Sequence, residues 1–358
     1  MRVSLVAYAV GLLLIAACAA GTAPAARAPA EDTARPAGER PALAATQAPS
    51  PAPLTKVRAA YAVVSAGVAP VWLALDHGLW QKHGLEVELT LISGAPNNVA
   101  ALLAGDVQFI QNSGDAMLPF QAREPNITAF LNTSASSAHR MIVQPDIQRP
   151  EELRGKRLGV FTLGDGNYAL ISKALPLFGI NPEREVLWTP VGGGNMGGFV
   201  GALAAGAIDA ALLTPPTDLA ALNNGAKVLF NYADLGLPYG GLPVYTLRNT
   251  LESQRTVAEA YAAGIIDGVR LFKSDAQLGK AALQKWAQLT DPAALDWTYE
   301  AYRGDRVADR PYVDVAQLEQ VKEAMATEQP ELRDLQVERV VDRTVLDALD
   351  RRGLLPPP

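Results

Sequence analysis

From residue 56 onward, short apolar runs, small-residue loops and stretches of helical spacing alternate along the chain. Residues 56–64, KVRAAYAVV, are apolar and β-branched enough for a buried strand. Val71, Ala74, Leu75 and Leu79 then recur at helical spacing, which predicts a helix over 71–83 stopped by Gly84. Leu85, Val87, Leu89 and Leu91 alternate with Glu86, Glu88 and Thr90, a strand with one wetter side. A helix over 97–104 ending at Gly105 and a strand over 106–111 follow. The same order returns later: strand 157–161, helix 166–178, strand 185–190, helix 195–205 and strand 207–213. VAALLAGDV at 99–107 overlays VGALAAGAI at 200–208 without a gap, placing Gly105 on Gly206 and Val107 on Ile208. This alternation predicts an α/β protein of two related lobes, each a mixed, mainly parallel sheet flanked by helices. Further helices over 257–272, 276–289 and 315–326 should pack outside the first lobe, and 342–353 closes the fold.

The first residues read differently. Residues 1–18 run from Arg2 through a mostly apolar stretch, too short to prefer a permanent span, to Ile15-Ala16-Ala17-Cys18. That ending resembles the bacterial lipobox, in which the cysteine carries a diacylglycerol and becomes the new N-terminus. A plain secretory signal with an incidental cysteine is the alternative. Residues 19–54 are almost all Ala, Pro, Gly, Thr and scattered charge, with no hydrophobic period, and read as an extended, disordered tether.

The 358 residues carry a formal net charge of −6, which argues against a sequence-independent grip on nucleic acid. A single cysteine excludes an internal disulfide framework and any multi-thiolate metal site. Three histidines offer little for a metal cage, so neither a metal nor a cofactor is expected. No catalytic set emerges either. Ser113 lacks the flanking glycine of a nucleophile elbow, and His77 and His83 are six apart, wrong for one helical face.

The loops that end the strands are more informative. In α/β sheets ligands collect beyond the carboxyl ends of strands, where helix N-termini present unpaired N–H groups. Here those loops hold small, hydroxylic and amide residues: Ser65 and Gly67, Gly94, Asn112 to Asp115 with Ser113 and Gly114 between, and Thr133 with Ser134. In the second half they hold Thr162, Gly164 and Asp165, then Gly193 and Asn195, then Thr214. Any one of them also serves as a turn or cap; the set predicts several donors facing one cleft. The five tryptophans read as core or lobe-surface packing; Trp72 and Tyr168, near the starts of their helices, are the large aromatics that could also stack on a ligand. None of these loops carries Lys or Arg, which disfavours phosphate esters and suits a singly charged or zwitterionic solute. Asp115 and Asp165 could balance an amine or a ring N–H. Residues 192–197 formally satisfy G-x-G-x-x-G, but the next strand lacks a terminal acidic residue for a ribose.

APVWLA at 69–74, GLW at 78–80, HGLEVE at 83–88, ALLAGDVQF at 101–109 and LRGKRLGV at 153–160 resemble the signature of substrate-binding proteins for nitrate, sulfonate, taurine and thiamine precursors. The resemblance covers about 57–230 and fades after about 250. It implies a two-lobe type II periplasmic-binding-protein fold with two hinge crossings and a ligand cleft between the lobes. The implied division is signal 1–18, tether 19–54, first lobe 55–140 and 241–350, second lobe 141–240. The implied partners are a small-molecule ligand and the permease and ATPase of an ABC importer, served by a monomer held to the membrane through Cys18. Two other readings stay open. One is an enzyme in the same cleft, although a related pyrimidine-precursor synthase carries a cysteine-rich motif that this chain lacks. The other is a sensory or partner-binding lipoprotein.

Overall fold

A computed structural model describes residues 53–161, 163, 166–191, 196–327 and 329–357. Cys18, the tether up to residue 52, Thr162, Gly164, Asp165, Gly193 and Asn195 lie outside the described residues.

The chain opens with strand β1 (Thr55–Tyr61), helix α1 (Ala69–Asp76), β2 (Leu85–Leu91), α2 (Ala95–Ala104), β3 (Phe109–Gln111), α3 (Gly114–Arg123) and β4 (Ile127–Asn132). It continues through β5 (Arg140–Val143), β6 (Arg157–Val160), α4 (Gly166–Ala174), β7 (Leu187–Pro190), α5 (Gly197–Ala204), β8 (Ala210–Leu213), α6 (Thr217–Asn223) and β9 (Lys227–Asn231). It returns as β10 (Pro243–Leu247), α7 (Arg248–Ser253) and α8 (Arg255–Ser274). Helices α9 (Ala276–Trp286), α10 (Pro292–Arg303), α11 (Val315–Met325) and α12 (Thr344–Arg351) complete it.

Two five-stranded sheets result, ordered β2-β1-β3-β10-β4 and β7-β6-β8-β5-β9. Each is mixed in the same way. In the first, β1 pairs in parallel with β2 and β3, while β10 runs antiparallel between β3 and β4. In the second, β6 pairs in parallel with β7 and β8, while β5 runs antiparallel between β8 and β9. In both sheets the reversed strand follows a crossing from the other.

Helices cover both faces of the first sheet. On one, Trp80, Tyr261 and Phe109 stack in a column with ring centroids 5.1 and 4.2 Å apart, and Phe130 continues it at 5.7 Å. Two glycines let α8 press against this layer. A Cβ on Gly264 would sit 2.1 Å from the Trp80 ring, and one on Gly268 would sit 2.0 Å from the Pro70 carbonyl oxygen. Ile110, Met117, Val321, Leu332 and Val340 fill the opposite face. The second sheet is smaller, with Met141, Leu158, Ile171 and Tyr232 on one side and Phe199, Ile208 and Leu213 on the other.

The expected helix over 71–83 is broken. Gly78 turns the chain with φ of +61°, so α1 stops at Asp76 and a 3₁₀ turn, Gln81–His83, precedes the left-handed Gly84. Helix α10 was not expected from the apolar pattern. It is set by its cap: the Asp291 carboxylate accepts from the Ala294 N–H at 2.7 Å, and Pro292 occupies the first turn.

Candidate functional site: the loops at the crossings

The carboxyl ends of β1, β3 and β4 meet the two segments, 133–139 and 232–242, that carry the chain between the sheets. Side chains tie these pieces together. Ser65 Oγ accepts from the Gly67 N–H at 3.3 Å and caps the 3₁₀ turn Ala66–Val68. The Gly67 carbonyl accepts the Thr133 hydroxyl at 2.8 Å, and Thr133 Oγ1 in turn accepts from Gln111 Nε2 at 2.7 Å. Asn132 Oδ1 accepts from the N–H groups of Ser134 and Leu242, one on each crossing, at 3.1 and 3.0 Å. Thr133 therefore spends its hydroxyl holding the loops in register.

The loop before α3 is equally constrained. Asn112 Oδ1 accepts from the Ser113 N–H at 2.8 Å, and Ser113 Oγ caps the helix by accepting from Ala116 N–H at 3.3 Å. The Gly114 N–H donates to the Gly241 carbonyl, and a Cβ at 114 would lie 2.3 Å from the Gly240 oxygen. Only glycine admits the second crossing this close. Among the described residues, Asn112 Nδ2 and Gln111 Oε1 are buried here without a partner. Buried polar atoms left open in this way are what a bound polar ligand or water satisfies.

Asp115, in the first turn of α3, is the acidic group of this region. Burial raises its carboxyl above the ordinary aspartate range, against the lowering effects of the Lys173 ammonium on α4 and of the N–H groups of Asp115 and Gly240. Its charge in turn adds to the burial that pushes up the hydroxyls of Tyr232, Tyr239 and Tyr245. Lys173 is a cation that inspection of the loops alone overlooked, because it lies seven residues into its helix.

His139 sits on the first crossing, its Nδ1 2.8 Å from Ser137 Oγ, and burial lowers its pKa to about 4. Among the described residues no carboxylate bonds its other ring nitrogen, and Ser137 Oγ also accepts the His139 N–H. The pair is a local turn rather than a nucleophile activated by an oriented base.

The remaining sites divide. Gly94, with φ of +85°, turns the chain into α2 beyond β2. Thr214 Oγ1 lies 3.3 Å from the Met196 sulfur beyond β8, and its carbonyl accepts the Thr217 hydroxyl. Tyr168 packs on Trp188 at 4.6 Å, on the outer strand of the second sheet. Trp72 is the correction. It is wholly buried, stacked on Trp286 at 6.0 Å and edge-on to Tyr61, so it belongs to the core and has no face left for a ligand.

One further cluster was not foreseen. Arg140 Nη1 lies 2.5 Å from Asp218 Oδ2, and Trp297 Nε1 donates to Asp218 Oδ1 at 3.1 Å. The three residues are far apart in sequence, and no local pattern announces them. Among the described residues no group of three or more His, Cys, Asp or Glu side chains could hold a metal, and no helix is long and apolar enough to cross a membrane.

This architecture matches known proteins. A family model described as NMT1/THI5 like matches residues 65–274. The chain belongs to that family. The taurine-binding periplasmic protein of Escherichia coli K12 is 29% identical over 200 residues, which is 54% of this chain and 59% of that protein. The match thus spans little more than half of the relative's length. Among solved structures, a protein titled as a putative periplasmic sulfonate-binding protein of a sulfonate ABC transporter, from Methylobacillus flagellatus KT, superposes with a TM-score of 0.67 at 17% identity. It covers 84% of this chain and 96% of that one. A desulfurization enzyme superposes with a TM-score of 0.64 at 15% identity, over 83% and 99% of the two chains. At these identities the likeness shows the fold alone: the two-lobe type II periplasmic-binding-protein fold. One fold thus carries both binding proteins and an enzyme, and function has to be argued from the site.

Proposed function

We propose that this chain is the solute-binding component of an ABC importer, anchored outside the cytoplasm by lipid on Cys18 through the tether 19–54. It captures a small organic solute in the cleft between a first lobe, 55–140 with 241–350, and a second lobe, 141–240. The observation that supports this best is the convergence of capped loops from β1, β3 and β4 on both crossings, with Asn112 Nδ2 buried and unpartnered among them. Such a surface offers hydroxyl, amide and backbone N–H donors and one acidic group, Asp115. That chemistry suits a sulfonate, a carboxylate or a pyrimidine-like ring. The contact set is Ser65, Gly94, Asn112, Ser113, Asp115 and Ser134 from the first lobe, with Thr162, Gly164, Asp165, Tyr168, Gly193, Asn195 and Thr214 from the second. The partners are the permease and ATPase, met by a monomer.

The test is a thermal-shift screen with taurine, alkanesulfonates, small carboxylates, pyrimidines and phosphate esters, since a ligand that binds the native state raises its melting temperature. Stabilisation by sulfonates or carboxylates supports the reading. Stabilisation by phosphorylated compounds alone, or turnover of the bound compound, refutes it.

A further inference from the structure

Asp218 lies in the first turn of α6, on the second sheet, with its side chain wholly buried. Three donors satisfy it: Arg140 at the start of β5, its neighbour Leu219 N–H at 2.8 Å, and Trp297 Nε1. The first two belong to the second sheet's own layer. Trp297 does not. It projects from α10, which is fixed to the first sheet's layer by the fully buried Tyr299, whose hydroxyl donates to the Phe272 carbonyl at 2.9 Å. The Arg140 guanidinium, 14% exposed, also lies 4.7 Å from the centre of the Trp297 ring.

One indole therefore supplies both a hydrogen bond to a buried carboxylate and an aromatic face to the cation paired with it. Separating the layers at this point would remove one donor from Asp218 and the ring from Arg140 together. A buried charge that loses a partner costs far more than an exposed one.

We infer that Trp297 is a positioning residue for solute capture. Through Asp218 and Arg140 it holds the two lobes together before any ligand arrives, and so sets how much of the ligand-free protein is closed. This rests on the proposed binding role only for its effect on affinity. The closed fraction itself is a property of the free chain. A ligand that binds the closed form has its apparent affinity scaled by that fraction.

The test uses the full-length chain in detergent with Cys18→Ser, labelled at Leu103→Cys on α2, beside the first sheet, and Leu187→Cys on β7 of the second, two exposed positions. Single-molecule energy transfer then reads the distance between the lobes. Trp297→Phe removes the N–H and keeps a ring; Trp297→Leu removes both. Each should move the ligand-free distribution toward longer distances, with Trp297→Phe lowering the closed fraction roughly tenfold and Trp297→Leu lowering it further. The dissociation constant for an alkanesulfonate should weaken by a similar factor, while the melting temperature of the free protein changes little. Unchanged distance distributions in both variants overturn the inference. If no sulfonate binds the unaltered protein, the proposed solute class fails while the ligand-free distances still decide the role of Trp297.

Discussion

His139 gives a quantitative handle on the first crossing. Its ring is held beside Ser137, its carbonyl accepts the Tyr232 N–H, and burial brings its pKa from 6.5 to about 4. In the folded protein the ring is therefore neutral at pH 7, and it stays neutral while an unfolded chain takes up a proton. Between pH 6.5 and about 4 the unfolded state binds more protons, so stability falls as pH falls, and below about 4 the contribution levels off. A shift of this size corresponds to about 3 kcal/mol when complete, at about 1.4 kcal/mol per pH unit. Replacing the ring by His139→Asn removes the titration whatever it does to stability at neutral pH. The chain has three histidines, so a carbon-detected titration of the ring signals, with the His139 signal identified by its loss in the variant, reads the pKa directly. Urea unfolding of both proteins from pH 4.5 to 7.5 reads the consequence: the difference in stability should widen with rising pH. A His139 ring that titrates near 6.5, or two stability curves that run parallel, would refute the argument.

Other perturbations test the packing. Gly268→Ala drives a methyl group into the Pro70 carbonyl and should destabilise the protein by about 1–3 kcal/mol, read as a lower melting temperature. Gln121 Nε2 holds the carbonyls of Ile127 and Val340 from a fully buried position, so Gln121→Ala should cost roughly 1–3 kcal/mol in denaturant unfolding. Arg157 grips both oxygens of Asp209 and holds that carboxyl below the usual aspartate range. The pair's contribution is present above the unfolded pKa near 3.8 and is lost as pH falls through the folded one. Arg157→Ala should therefore destabilise at pH 7, and the loss should shrink as acid protonates the folded carboxyl; a loss that stays equal at every pH would contradict the assignment.

The α/β alternation could be read along the chain because buried parallel strands leave apolar runs and their helices end in glycine, as at Gly105 and Gly206. Local grammar of that kind says little about what reverses direction. The antiparallel placement of β5 and β10 depends on pairing partners about seventy and about a hundred and thirty residues away, respectively. Helix α10 was missed because Asp291 and Pro292 mark its start while its apolar residues are sparse and mixed with charge. For Trp72 the core reading holds and the stacking role falls away for a related reason: position near a helix start suggested a loop-facing ring, whereas Trp286, more than two hundred residues later, covers it. The bridge through Arg140, Asp218 and Trp297 joins three distant segments and has no footprint in any one of them.

The placement of β10 bears on the order in which the molecule can be made. The second sheet is built from one uninterrupted stretch, Arg140 to Asn231, so it can close as soon as that stretch is available. The first sheet cannot. Its strand β4 has no neighbour until β10, made more than a hundred residues later, slides between it and β3. A chain emerging amino end first thus carries an open seam in its first lobe while its second lobe is already complete, and long-range pairings of this kind form slowly. Until Leu247 is in place, the exposed edges of β3 and β4 are available to any other extended segment. The vulnerable period in the life of this protein is the interval between the completion of its second lobe and the insertion of one five-residue strand.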